Sequence, residues 1–294
     1  MKRSAFLSSL ATIPLMSTYM KLTYLEKLSS SLYNTDIMPI LFLGHGSPMN
    51  AIEDNEFVRG FKNLTSQIPK PQAILCISAH WETKGTYITA MDFPRTIHDF
   101  GGFPKELYNV RYNAPGNADL ATFISKEVRT TTIGLDHSWG LDHGAWSVIK
   151  HIYPKADIPV LELSLDYTKD PFYHYSLAKQ LAFLRTKGVL IIGSGNIVHN
   201  LSKVAWNKLD EPNFAYDWAL EARTIINTAI IDGNHKKLCE YQTLGSAISL
   251  AIPSPEHFLP LLYILALQQK SEPLMLFNDK ALGGSLTMTS LKIG

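Results

Sequence analysis

Several short runs in this chain are apolar at nearly every position: "PILFLG" at 39–44, "AILCISA" at 73–79, "IPVLELS" at 158–164 and "GVLIIG" at 188–193. A strand with one wet face alternates between apolar and polar residues, whereas a strand covered on both faces does not. The pattern predicts strands near 39–43, 73–79, 86–91, 158–164, 188–193, 274–277 and 285–291. Segments of helical period lie between them, near 55–67, 118–130, 144–152, 171–187, 214–232, 235–242 and 258–268. Buried strands alternating with helices specify an α/β fold with a mostly parallel central sheet flanked by helices. The last two strands, "PLMLFND" and "GSLTMTSLKIG", are joined by a short loop holding Gly283 and Gly284, and an antiparallel hairpin at one sheet edge is expected there.

No Pro/Gly/Ser linker, internal repeat or low-complexity tract divides the body, so residues 38–294 are expected to form one catalytic-sized domain behind an extension at 1–37. The extension starts with Lys2 and Arg3 ahead of an apolar stretch, the outline of a secretory signal, but Pro14 interrupts it and no small-x-small cleavage site follows. A cytoplasmic location is therefore the expectation, with no segment long enough to span a membrane. A formal net charge of +1, without a lysine/arginine cluster, gives no field to gather nucleic acid. Cys76 and Cys239 are too far apart in sequence to read as a metal pair or a disulfide framework. A small, weakly charged partner fits this composition best, and oligomeric state is left open.

Chemistry concentrates in the histidines. His45, His80 and His199 each follow an apolar strand, and in an open parallel sheet the carboxyl ends of the strands share the edge where ligands bind. His257 follows "PSPE", a plausible helix start, although the helix equally well begins at Pro260. Gathered imidazoles suit a first-row divalent metal, and glycines beside a ligand let the backbone approach closely. Iron and zinc are both compatible with such a set. In "SWGLDHGAW" (138–146), His143 follows Asp142 among tryptophans, which reads either as a general acid/base facing a flat ring or as a capping aspartate beside an incidental histidine. The segment 96–112 adds Phe100, Phe103, Tyr108 and Arg111 around a Gly-Gly turn, with His98 read as surface packing. "GSGN" at 193–196 matches neither a phosphate loop nor a nucleophilic-serine elbow.

Six stretches, "LFLGHGSPMNAIEDN", "SAHWET", "TIHDFGGFP", "LDHGAWSVI", "SGNIVHNL" and "SPEHFLPLLY", occur in that order from about residue 40 onward. Together they resemble the class III extradiol ring-cleavage dioxygenases, in their 4,5-DOPA branch. The resemblance implies an α/β enzyme whose divalent metal is held by His45, His80 and His257. It makes His199 a further ligand or an acid/base residue and His143 a second active-site histidine. In the wider family the third ligand is a glutamate, so Glu256 competes with its neighbour His257 for that role. Ferrous iron is the implied ion for oxygen chemistry and zinc a possible bound ion. A catechol such as DOPA, together with O2, is the implied substrate pair, and a muconic semialdehyde-type compound the product. A zinc hydrolase using the same histidines is the rival enzyme, and a metal-binding protein without turnover the rival outside enzymes.

Overall fold

A computed structural model describes residues 32–294. Residues 1–31, with the secretory-signal outline, lie outside the described residues. Of the rest of the expected extension, Leu32 is buried in the core and Thr35 N–H donates to Thr186 O at 2.9 Å.

The strands are β1 (Ile40–Gly44), β2 (Ala73–Thr83), β3 (Thr86–Thr89), β4 (Ile133–Asp136), β5 (Val160–Asp166), β6 (Val189–Gly195), β7 (Leu274–Phe277), β8 (Ala281–Leu282), β9 (Leu286–Thr287) and β10 (Ser290–Ile293). The α-helices are α1 (Glu56–Asn63), α2 (Lys105–Tyr108), α3 (Ala118–Glu127), α4 (His143–Ile152), α5 (Pro171–Lys179), α6 (Asp217–Ile231), α7 (His235–Cys239), α8 (Ser246–Ala251) and α9 (Leu259–Ala266). Eight strands form one sheet in the order β4-β3-β5-β2-β6-β1-β10-β7, and β8 with β9 forms a separate antiparallel pair. The centre, β5-β2-β6-β1, is parallel throughout. β3 and β4 run parallel to each other, and β3 is antiparallel to β5. This is the single-domain α/β sheet that the apolar runs specify.

Both faces of the central strands are buried, which is why those runs are continuous. Leu41, Leu43, Ile74, Val160, Leu190 and Ile192 pack against α1 and α4, while Ile40, Phe42, Leu75, Leu161, Val189 and Ile191 belong to the opposite core with α5, α6 and α9. Side chains of Asn55, Asn117, Asp142 and Asp170 cap α1, α3, α4 and α5 by accepting a backbone N–H of the first turn.

Several boundaries differ from the sequence pattern for local reasons. The expected helices at 55–67 and 171–187 end early and continue as 3-10 turns at 64–66 and 182–187, the second stopped by left-handed Gly188. The expected strand at 285–291 is broken, because Met288 N–H donates to Lys280 O and the chain changes sheets there. Its second half, β10, pairs antiparallel with β7 but also with β1, so of these two only β7 is an edge strand. The connection between β7 and β10 is no short loop, since it holds β8 and β9.

One buried ion pair ties the sheet's far end together. Arg185, 1% exposed, donates to Met38 O and Leu267 O (both 2.8 Å) and forms a two-pronged pair with Glu272. Removing one partner strands a charge and two buried carbonyls, so Arg185→Ala is expected to cost about 3–5 kcal/mol in urea unfolding. A loss under about 1 kcal/mol, the range of an exposed pair, would show that solvent rescues Glu272.

Candidate active site

The carboxyl ends of β1, β2 and β6 lie side by side, and the sequence-singled histidines meet there. His45 is the first residue past β1, held by its own N–H to Gly195 O (3.2 Å) and by Asn50 Nδ2 donating to its carbonyl (2.8 Å). His80 does not follow its strand as expected. It sits inside β2, in a bulge where Ile77 faces Leu163 but Glu82 faces Leu165, so extra residues on β2 re-aim the side chain. His257 ends the turn before α9, which starts at Leu259 with Pro260 in its first turn, so "SPE" is a turn and not the helix start. A Cβ on Gly195 would lie 2.1 Å from His257 O, so only glycine lets that turn reach the sheet edge, where Asn196 N–H donates to the same carbonyl. His199 lies further on, past Gly195, bridged to Leu286 and donating its N–H to Ala251 O (2.8 Å).

Ligand-type atoms of His45, His80 and His257 lie within 4.8 Å of one another, as do those of His80, Asp99 and His143, and of His199, Glu256 and His257. His199 thus groups with Glu256 and His257, stacked face to face on His257 at 3.5 Å between centroids and 9° between planes. Glu256 lies behind His257, its Oε1 3.1 Å from His257 Nδ1 and also accepting from Ser254 Oγ.

The hydrogen bonds fix which nitrogen of His45 and of His257 is bare. Ser194 Oγ gives its only proton to Gly144 O (2.6 Å), so at 2.9 Å from His45 Nδ1 it can only accept. His45 therefore carries its proton on Nδ1. His80 Nδ1 faces Asp99 Oδ2 at 3.4 Å, and His257 Nδ1 faces Glu256. Burial pushes both carboxyls up, but hydrogen bonds and charge outweigh it: those from His143 hold Asp99 below its ordinary value, and those led by His257 hold Glu256 at about 2. Ionised carboxylates only accept, so His257 is also protonated at Nδ1, while His80 Nδ1 lies beside the Asp99 charge but is poorly aligned for a hydrogen bond. Burial, and then the neighbouring imidazoles, hold His45 and His80 well below the ordinary histidine value. Burial likewise lowers His257 against the pull of Glu256 and takes His199 to about 3.

His45 and His257 thus keep their Nε2 lone pairs free, and the Nε2 atoms of His45 and His80 lie 3.1 Å apart, a hydrogen bond in one tautomer of His80 and a facing pair of lone pairs in the other. Lone pair against lone pair at that distance is repulsive unless a cation lies between them. Two nitrogens bound about 2.0–2.1 Å from one ion stand about 3.0–3.4 Å apart, so the set fits a divalent metal. Anchoring the other ring nitrogen on a hydroxyl or carboxylate is how proteins orient metal-binding imidazoles.

His143 opens α4, and Asp142 caps it, so both readings of "LDHG" hold at once. The carboxylate that engages the ring is Asp99, which accepts from His143 N–H (2.9 Å) and Nδ1 (3.0 Å). Asp142 instead turns inward to Ser78. Asp99 and Ser194 are neighbours of the histidines that the sequence pattern did not mark. Phe100 stands edge-on to His143 at 5.5 Å and 85° and contacts Phe103 and Tyr108, which makes an apolar wall. His98 lies outside the cluster, 3.1 Å from Val110 O.

Residues 39–281 match the family described as the catalytic LigB subunit of aromatic ring-opening dioxygenase. The chain belongs to that family. It is 42% identical over 261 residues to the 4,5-DOPA dioxygenase extradiol of Escherichia coli (strain K12), covering 87% of this chain and 95% of that protein. It is 36% identical over 263 residues to the 4,5-DOPA dioxygenase extradiol of Beta vulgaris, covering 87% and 97%. A crystal structure of an uncharacterized Escherichia coli K12 protein superposes with a TM-score of 0.74 at 37% identity, covering 87% of this chain and 100% of that one. This LigB-family chain is thus an extradiol, ring-opening dioxygenase of the DOPA-dioxygenase type. Among its described residues, no helix is long and apolar enough to cross a membrane.

Proposed function

We propose that this LigB-family chain uses a ferrous ion to open the ring of a catechol such as DOPA with O2, giving a muconic semialdehyde-type product, and that His45, His80 and His257 hold the ion. The observation that carries this reading is the convergence of three imidazoles, their ligand-type nitrogens within 4.8 Å of one another and the Nε2 atoms of His45 and His80 3.1 Å apart. Iron bound there supplies electron transfer between a catechol and O2, which zinc cannot do for want of redox chemistry.

His143 is the base in this reading. Its Nδ1–H on Asp99 leaves Nε2 to take the proton of a catechol hydroxyl, and the carboxylate stabilises the imidazolium that results. The same nitrogen returns the proton when the ring opens. Phe100 and its aromatic neighbours exclude water from that side and align a flat ring by its face or edge. His199, held neutral and stacked on His257, closes the opposite side as a hydrogen-bonding wall.

Oxygen uptake tests the proposal. Protein reconstituted anaerobically with ferrous iron is expected to consume O2 equimolar with DOPA or a simpler catechol and to form a yellow ring-opened product, while a zinc-loaded sample consumes none. No uptake by well-loaded iron protein with any catechol would move the assignment to a zinc hydrolase built on the same histidines.

A further inference from the structure

Asp142 and Glu162 face each other just behind the site, both 0% exposed. Asp142 Oδ1 accepts from Ser78 Oγ–H (2.6 Å) and Ala145 N–H (3.1 Å), while Asp142 Oδ2 is buried without a donor from any other residue. Glu162 accepts the Asp142 N–H on Oε1 (2.9 Å) and the Trp139 indole N–H on Oε2 (3.2 Å). Two ionised carboxylates in contact, sealed from water and without a cation, are untenable, so one of them carries a proton. Asp142 has a short hydroxyl donor and sits at the N-terminus of α4, where the helix dipole favours an anion. It is therefore the carboxylate, and Glu162 is the acid.

We propose that Glu162 is a positioning residue that acts through its proton: its O–H donates to Asp142 Oδ2, and the pair locks the β2 bulge bearing His80 to the first turn of α4 bearing His143. Asp142 is the clamp between the two segments. Through Ser78, whose Oγ also accepts His80 N–H at 3.2 Å, it holds the bulge, and through the cap it holds α4. Contact there is close, because a Cβ on Gly144 would lie 2.4 Å from Ser78 Oγ and 2.8 Å from His80 Cδ2. A shift of the pair is thus felt at both histidines. The inference rests on the functional reading above only for what those histidines do.

Other groups facing the pair support the assignment. Cys76 pairs with Glu162 across β2 and β5, and burial followed by the two carboxyls keeps its thiol neutral. Thr89 Oγ1 accepts the Glu162 N–H, and Asp99 and His143 lie beyond Asp142. Burial, then the Asp142 charge, raises Glu162 well above its ordinary 4.5. The folded protein therefore keeps a proton that the unfolded chain gives up. Stability from this group is full below pH 4.5 and falls as pH rises from there toward the folded value.

The test compares wild type with Glu162→Gln and Glu162→Leu. Glutamine presents a permanent N–H donor and gives up the acceptor of the longer, half-buried Trp139 indole bond, so Glu162→Gln should keep turnover within about fivefold and lack the falling slope of stability with pH. Leucine leaves Asp142 Oδ2 without a donor, so Glu162→Leu should lose about 10- to 100-fold in kcat and shift the imidazole nitrogen resonances of His80 and His143, which Glu162→Gln leaves in place. Equal damage in both variants, a wild-type stability slope in Glu162→Gln, or unmoved resonances in Glu162→Leu would each overturn the proposal. Should Glu162→Leu not fold, the slope and resonances of Glu162→Gln still decide it. The stability and resonance readouts need no turnover, so absence of oxygen uptake in all three proteins would count against the functional reading and not against the clamp.

Discussion

His45→Ala is expected to strip the protein of most of its bound metal, and with it essentially all oxygen uptake. His45 is 1% exposed and its Nε2 lies 3.1 Å from that of His80, so the proposed ion loses one of its three ligands. Altering a partner one bond further out lowers metal affinity about 10- to 100-fold. Loss of a ligand itself should exceed that, while Ser194→Ala, which removes the acceptor of His45 Nδ1–H and the donor to Gly144 O but no ligand, should fall within it. Metal content after dialysis, read by mass spectrometry beside turnover, ranks the two variants. Full occupancy in His45→Ala would sink the ligand assignment.

His143→Ala should behave in the opposite manner, keeping its metal while turnover drops about 10²- to 10⁴-fold, the usual contribution of a positioned acid/base. Asp99→Asn is the informative companion. It keeps the shape of the side chain that touches His143 but removes the charge that stabilises an imidazolium. A smaller loss of turnover with metal retained is expected there. Should His143→Ala lose metal and turnover in equal measure, the residue would have to be counted among the ligands.

Much of this arrangement was legible because buried parallel strands have an unmistakable composition. "PILFLG", "AILCISA" and "GVLIIG" give away β1, β2 and β6, and the strand order β2-β6-β1 then brings His45 and His80 to a common edge. What escaped notice shares a different character. β4, with its Gly-Leu-Asp ending, and the six-residue α8 are too short for periodicity to register. Asp99 lies in an irregular segment 44 residues from the histidine it engages, so the neighbouring Asp142 stood out in its place. Glu162 occupies an alternate position of "VLELSLD", where a carboxylate reads as solvent-facing, and only its burial beneath Asp142 and Trp139 shows that it is sealed. His199 was expected to share the strand-end placement of His45. Four residues past the last strand residue, its place is set instead by the bridge to Leu286, a contact with no local signature.

The pairing of β1 with β10 has a consequence for how the protein comes to life. Gly44 N–H donates to Ser290 Oγ, and the backbone of Met288 and Thr289 presses on Gly44 so closely that a Cβ there would lie 2.6 Å from Met288 O. The floor beneath His45 is thus laid by residues synthesised some 245 positions later, and a partner so distant in the chain closes slowly. While residues beyond 280 are still inside the ribosome, a nascent chain has already exposed His45, His80 and His257 but lacks the strand that backs the first of them. Maturation of the centre is therefore timed by arrival of the β10 segment and not by emergence of the histidines themselves.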